Sequence, residues 1–292
     1  MGPAVRHLVT SSKGLTLLVV GDPMPGRRPI VSVHGISRNI ADHAAAIEQV
    51  AIPQGRNLIL PLFPDWWTGY QRLRPGPHGV RPDELLWSAL DELGFTGGVD
   101  LMGFSGGAQF AHRAALVSPR RVERLLLASA GWYTMPDRSV PFPHGIGPSA
   151  GSPRLQPEAW LRIPMLIAVG DLDRYRDRSL RQSRRLKRAQ GDNRYSRAIS
   201  FHRAITDVGA KPSPRLVIIP DCGHDFAHVA RAGLVECALS HFTPESPPHT
   251  TPRAAEPPAV AGSGTEPHGP ASFRVVEPRP SPRDHAASTA GM

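Results

Sequence analysis

Residues 99–107 read Val-Asp-Leu-Met-Gly-Phe-Ser-Gly-Gly, a largely apolar run that stops at Gly103-Phe104-Ser105-Gly106-Gly107. This G-x-S-x-G stretch constrains the chain more than any other. A serine between such glycines can occupy a sharp strand-to-helix turn, where glycine tolerates strained backbone and removes the side chains that would block close packing. The turn lifts the hydroxyl out of the core and into a cleft. A serine hydroxyl alone is a poor nucleophile, so the motif needs a base and a group that orients the base.

Both needs can be met at the ends of later apolar runs. Pro164–Val169 reads as a buried strand and leads into Gly170-Asp171-Leu172-Asp173, and Arg215–Pro220 reads as another and leads into Asp221-Cys222-Gly223-His224-Asp225. An acid and a histidine thus stand where strands stop, the edge at which open parallel sheets bind ligands. Upstream, Pro29–Val33 runs into His34-Gly35-Ile36-Ser37. A His-Gly turn there exposes backbone N–H groups, which can form an oxyanion hole with the amide of Gly106.

With these residues in the order Ser, Asp, His, residues 7–242 resemble the α/β-hydrolase superfamily, specifically its serine esterase-like members. The resemblance implies a mostly parallel twisted sheet of about eight strands, with helices on both faces and a small lid. It also implies roles. Ser105 is the expected nucleophile, His224 the general base and Asp173 the orienting acid, selected by the pattern G-x-x-D counted from Gly170. Asp171 is the alternative acid and His228 the alternative base. The amides of Ile36 and Gly106 are the expected oxyanion donors, with Ser37 as alternative to Ile36, and His34 is expected to brace its loop. Cleavage of a carboxylic ester or thioester through an acyl-serine follows, with no metal and no organic cofactor. The same triad serves amide or C–C bond hydrolysis and acyl transfer, because fold analogy does not choose the bond. A non-catalytic binding protein is a third reading, against which the intact set of Ser105, Asp173, His224 and His34-Gly35 counts.

The rest of the pattern alternates strands and helices, as a covered parallel sheet requires. Strands are expected at 15–20, 30–33, 57–62, 99–104, 122–128, 164–169 and 215–220. Helices are expected at 40–51, capped by Asn39, at 83–93 on an apolar face of Leu85, Leu86, Leu90 and Leu93, at 107–117 and at 229–241. Residues 174–210 read as a helical insertion. The segment 130–164, rich in Pro and Gly, has room for a loop lid or one short helix. Aromatics in two strand-end loops, Trp66 and Trp67 in one, Trp132 and Tyr133 in the other, are expected to wall a pocket for an apolar acyl or alcohol group. Packing a cap onto the body is the competing role for them.

Composition bounds the remainder. The last fifty residues hold eleven of the 32 prolines and no Leu, Ile, Trp or Tyr. Ordering them costs about 1–2 kcal/mol per residue, far above what so few apolar side chains return. Residues 1–242 therefore read as the folded domain and 243–292 as a disordered Pro-rich tail. No run approaches the ~18–20 apolar residues of a membrane span, and Leu15–Val20 reads as an early strand without a cleavage site after it. Two cysteines, Cys222 and Cys237, without a C-x-x-C pair fit a reduced, cytoplasmic protein. Of the net charge of +9, much sits in eight Arg and Lys residues between 174 and 188. Without interleaved aromatics this cluster reads as a solvated helix and not as a nucleic-acid site, with selectivity for acidic substrates as a further possibility. The expected partner is a small ester-like molecule; the oligomeric state is open.

Overall fold

The structure is a computed structural model that describes residues 4–22, 26–76 and 79–243, and the backbone of 274–275. Its centre is one sheet. In chain order the strands are β1 (Arg6–Thr10), β2 (Thr16–Val20), β3 (Ile30–Val33), β4 (Leu58–Leu62), β5 (Val99–Phe104), β6 (Val122–Ala128), β7 (Met165–Gly170), β8 (Arg215–Ile219) and the two-residue β9 (Arg274–Val275). The spatial order is β1-β2-β4-β3-β5-β6-β7-β8-β9. Strands β1, β2 and β9 run antiparallel to their neighbours, and β4-β3-β5-β6-β7-β8 are parallel throughout.

The β5 run is continuously apolar apart from Asp100, because both faces of the sheet are covered. Alternate residues serve opposite layers. Val31, Val33, Leu101, Leu127, Ile167 and Val169 face one core with α2 (Pro82–Glu92), α3 (Gly106–Val117) and α6 (Arg194–Asp207). Met102, Leu126, Leu166, Ala168 and Val217 face the other, with α1 (Ile40–Ala51) and α8 (Val235–Phe242). Asp100 is fully buried and paired with Arg56 at 2.6 Å. Arg28 approaches the second Asp100 oxygen at 3.6 Å, and removing one partner of such a buried pair is costly.

Several boundaries differ from expectation. Strand β1 carries no apolar alternation, since four of its five residues are exposed on the sheet edge. Asn39 stands at the start of α1 without capping it: its Oδ1 accepts from Ser37 Oγ and its amide donates to Asp42. The insertion is not helical from 174. Asp177 Oδ1 accepts from the amides of Ser179 and Leu180 and holds a turn there, so helix begins only with α5 (Arg184–Gln190) and continues in α6. The closing helix starts at α7 (Phe226–Val229), capped by Asp225, which accepts from the His228 amide at 2.7 Å. A wide turn over Ala230–Leu234, with Gly233 at φ 149°, separates it from α8. The segment after β6 is irregular up to the single-turn α4 (Pro157–Trp160). The expected tail lies outside the described residues, save Thr243 and the pair Arg274–Val275 that adjoins β8. Among the described residues no helix is long and apolar enough to cross a membrane.

Candidate active site

Ser105 follows β5 directly and precedes the first residue of α3, with φ 54° and ψ −112°. A non-glycine residue at positive φ is strained and is held by its surroundings. Here the Ser105 amide donates to Ala128 O at 2.9 Å, extending the ladder to β6, while the chain turns away into the helix. The flanking glycines make this possible. A Cβ on Gly107 would overlap the carbonyls of Val33 and His34, and one on Gly103 would overlap Gly107 itself. Helix α3 therefore starts pressed against the end of β3.

His224 lies in the loop after β8. Its Nε2 is 2.9 Å from Ser105 Oγ and its Nδ1 is 2.9 Å from Asp173 Oδ2. A carboxylate only accepts, so Nδ1–H donates to Asp173, which leaves Nε2 free to accept from the serine hydroxyl. The ring also stacks on Phe104, with centroids 5.0 Å apart. Asp173 is buried, and Asp171 is directed elsewhere: its Oδ1 accepts from the Cys222 amide at 3.2 Å and so ties the turn after β7 to the His224 loop. His228 is exposed within α7.

Sequence reading passed over Arg194, the first residue of α6. Its guanidinium is buried, lies 3.6 Å from Asp173 Oδ1 and binds both oxygens of Asp177. Tyr195 adds a backbone bond to Asp173 O. Nothing in the sequence separated Arg194 from the other arginines of this segment.

The loop after β3 closes the other side of Ser105. A Cβ on Gly35 would sit 3.4 Å from Ser105 Cβ, and one on Gly106 would sit 3.3 Å from Ile36 Cγ2. Among the described residues the amides of Ile36 and Gly106 donate to no other group. His34 is buried below, with Nδ1–H donating to Gly35 O at 2.6 Å and Nε2 accepting from the Phe63 amide. Burial holds its pKa at about 4, so it is a neutral brace at physiological pH.

The four aromatics separate. Trp66 is 60 % exposed and stacks on Trp67, which is buried and donates its indole N–H to Arg74 O. Trp132 is buried between the Arg113 guanidinium and the His144 ring. Tyr133 has no exposed surface and stacks on Phe201 at 4.2 Å, so it belongs to the core rather than to a pocket wall. Cys222 is fully buried beside Gly170, without access to the cleft. No three metal-binding side chains converge among the described residues.

No family model and no curated protein matches the sequence. Solved structures do match. A poly(aspartic acid) hydrolase from Sphingomonas sp. KT-1 aligns at 24 % identity and TM-score 0.66, over 78 % of this chain and 96 % of its own. A poly(3-hydroxybutyrate) depolymerase from Bordetella parapertussis aligns at 23 % identity and TM-score 0.68, over 84 % and 92 %. A probable hydrolytic enzyme from Pseudomonas aeruginosa aligns at 20 % identity and TM-score 0.52, over 83 % and 95 %. Likeness at this identity is likeness of fold, and the chain has the α/β-hydrolase fold.

Proposed function

We propose that the chain is a serine hydrolase that cleaves a carboxylic ester, or a thioester, through an acyl-Ser105 intermediate. The observation that carries this reading is the unbroken line from Ser105 Oγ through His224 to Asp173, with 2.9 Å at each step. In the first half-reaction Oγ attacks the scissile carbonyl carbon while His224 Nε2 takes its proton. The carbonyl oxygen becomes an oxyanion and is received by the amides of Ile36 and Gly106, which point no hydrogen bond elsewhere. Collapse of the tetrahedral intermediate breaks the ester bond, and the imidazolium returns its proton to the departing alkoxide. Water then repeats the sequence on the acyl-serine, releasing the acid and restoring the hydroxyl.

Asp173 keeps the imidazole in the tautomer that presents Nε2 to the serine. Arg194 is a positioning residue that holds the carboxylate from behind. Trp66, the exposed member of the aromatic group, together with the edges of Trp67 and Trp132, would border the acyl or alcohol moiety. The neighbours' names point to different substrates, so this chain's own substrate has to be sought in its cleft. A panel of 4-nitrophenyl esters of rising acyl length tests the reaction. Hydrolysis that vanishes in Ser105→Ala supports it. Activity that survives that substitution, or turnover of no ester by the folded wild type, contradicts it.

A further inference from the structure

Around the loops that hold Trp132 and His144 stand several arginines without an ion-pair partner among the described residues. Arg72, Arg181 and Arg185 make no ion pair within 4 Å among the described residues, and the nearby Asp173, Asp177 and Asp192 are each paired with other groups. Asp137 feels the charge of Arg185 without bonding to it. Arg113 is fully buried with no carboxylate partner, bonding only to Thr134 Oγ1 and to the carbonyls of Gln71 and Gln109. Burying a guanidinium without a carboxylate partner is expensive.

These groups come from different elements and meet in one place. Arg72 and Arg181 lie close enough to feel each other, and Arg72 and Arg113 likewise. Arg197 ties the Arg181 carbonyl to Gly131 O, at the end of β6 next to Trp132. His144 stacks on Trp132 opposite Arg113, and burial followed by the charges of Arg185, Arg181, Arg113 and Arg72 lowers its pKa to about 4. Three buried nitrogens here, Arg72 Nε, Arg113 Nη2 and His144 Nδ1, have no hydrogen-bond partner. One end of the cluster reaches the serine turn. The Gln71 side-chain oxygen would lie 2.9 Å from a Cβ on Gly106, and Arg72 is the next residue. Arg113 is eight residues along α3 from Ser105, about 12 Å at 1.5 Å per residue.

We propose that Arg72, Arg181, Arg185 and His144, set over the buried Arg113–Trp132 stack, form an oxyanion-group subsite of the cleft, and that the substrate is an acidic ester bearing a carboxylate or phosphate remote from its scissile carbonyl. This rests on the hydrolase reading of Ser105. Forked guanidinium donors suit such groups.

The test compares 4-nitrophenyl hemiesters of succinate, glutarate, adipate and suberate with their neutral methyl diesters, and with phosphonate-terminated esters of matching length. The anionic substrates are expected to show kcat/KM at least about tenfold higher at low salt, an advantage that shrinks as ionic strength rises. The anionic series with the larger advantage identifies the source of the group. Arg72→Gln combined with Arg181→Gln is expected to bring the ratio within about twofold of one while leaving neutral-ester turnover unchanged. Equal or better turnover of the neutral diesters by the wild type, or a charge preference indifferent to both substitutions, overturns the subsite while the serine reading stands. Turnover of none of these esters by the folded protein overturns both.

Discussion

Asp171 and Asp173 stand two positions apart in one turn, and only Asp173 reaches His224. A pair of variants separates them. Asp173→Asn is expected to lower kcat by about 10⁴, because the asparagine can stabilise the wrong imidazole tautomer. Asp171→Asn keeps an oxygen for the Cys222 amide and is expected to cost less than about tenfold. Equal losses in the two would put the acid of the triad in question. The placement of the serine, the histidine and both acids at strand ends was legible in the sequence, because each follows a short apolar run that reads as a buried strand. Arg194 was not. It lies among closely spaced arginines, and only the fold reveals that it alone is buried against Asp173. Tyr133 failed in the opposite direction: its neighbours in sequence mark a strand-end loop, but its ring partner, Phe201, is supplied by α6. Contacts of that range leave no local signature.

At the scale of elements, the junction of β5 and α3 depends on close approach. Gly107→Ala would drive a methyl into the carbonyl of Val33 and is expected to cost more than about 3 kcal/mol, read as a large fall in the denaturation midpoint or as loss of soluble protein. Asn193 caps α6 by accepting from the Ser196 amide at 2.8 Å, so Asn193→Ala is expected to cost about 1 kcal/mol. An unchanged midpoint in either variant would contradict the geometry on which it rests. The central helices and strands were readable from periodicity, since α2 buries Leu86 and Leu90 as its apolar stripe requires. The departures occur where periodicity is silent. Strand β1 is exposed, the turn after Asp173 is built by side-chain bonds from Asp177, and the closing helix breaks at Gly233.

For the molecule as a whole, burial of histidines sets the response to acid. Burial holds His34 and His241 at about 4 and His43 at about 3, and pushes His112 well down. The unfolded chain protonates these side chains near pH 6.5 and the folded chain does not, so the unfolded state binds more protons between about pH 4 and 6.5 and stability falls as pH drops through that window. At pH 5 a histidine held at about 4 or below, as His34, His241 and His43 are, costs about 2 kcal/mol, against a total of about 5–15 kcal/mol for a typical domain. His43 stacks on Phe226 and is bonded to Ser32, and His43→Gln is expected to reduce the stability difference between pH 7.5 and pH 5 by about that amount. An unaltered difference would contradict this account of acid sensitivity.

The convergence of Ser105, His224 and Asp173 is useful only if it makes the hydroxyl a nucleophile. The direct measurement is the rate and position of labelling by a fluorophosphonate, read by mass spectrometry of the intact protein and its peptides. One equivalent bound at Ser105 in the wild type, with none in Ser105→Ala and labelling slowed at least about 10³-fold in His224→Ala, is the result predicted. Absence of label at Ser105 in the folded wild type, or labelling that proceeds equally fast without His224, would contradict it.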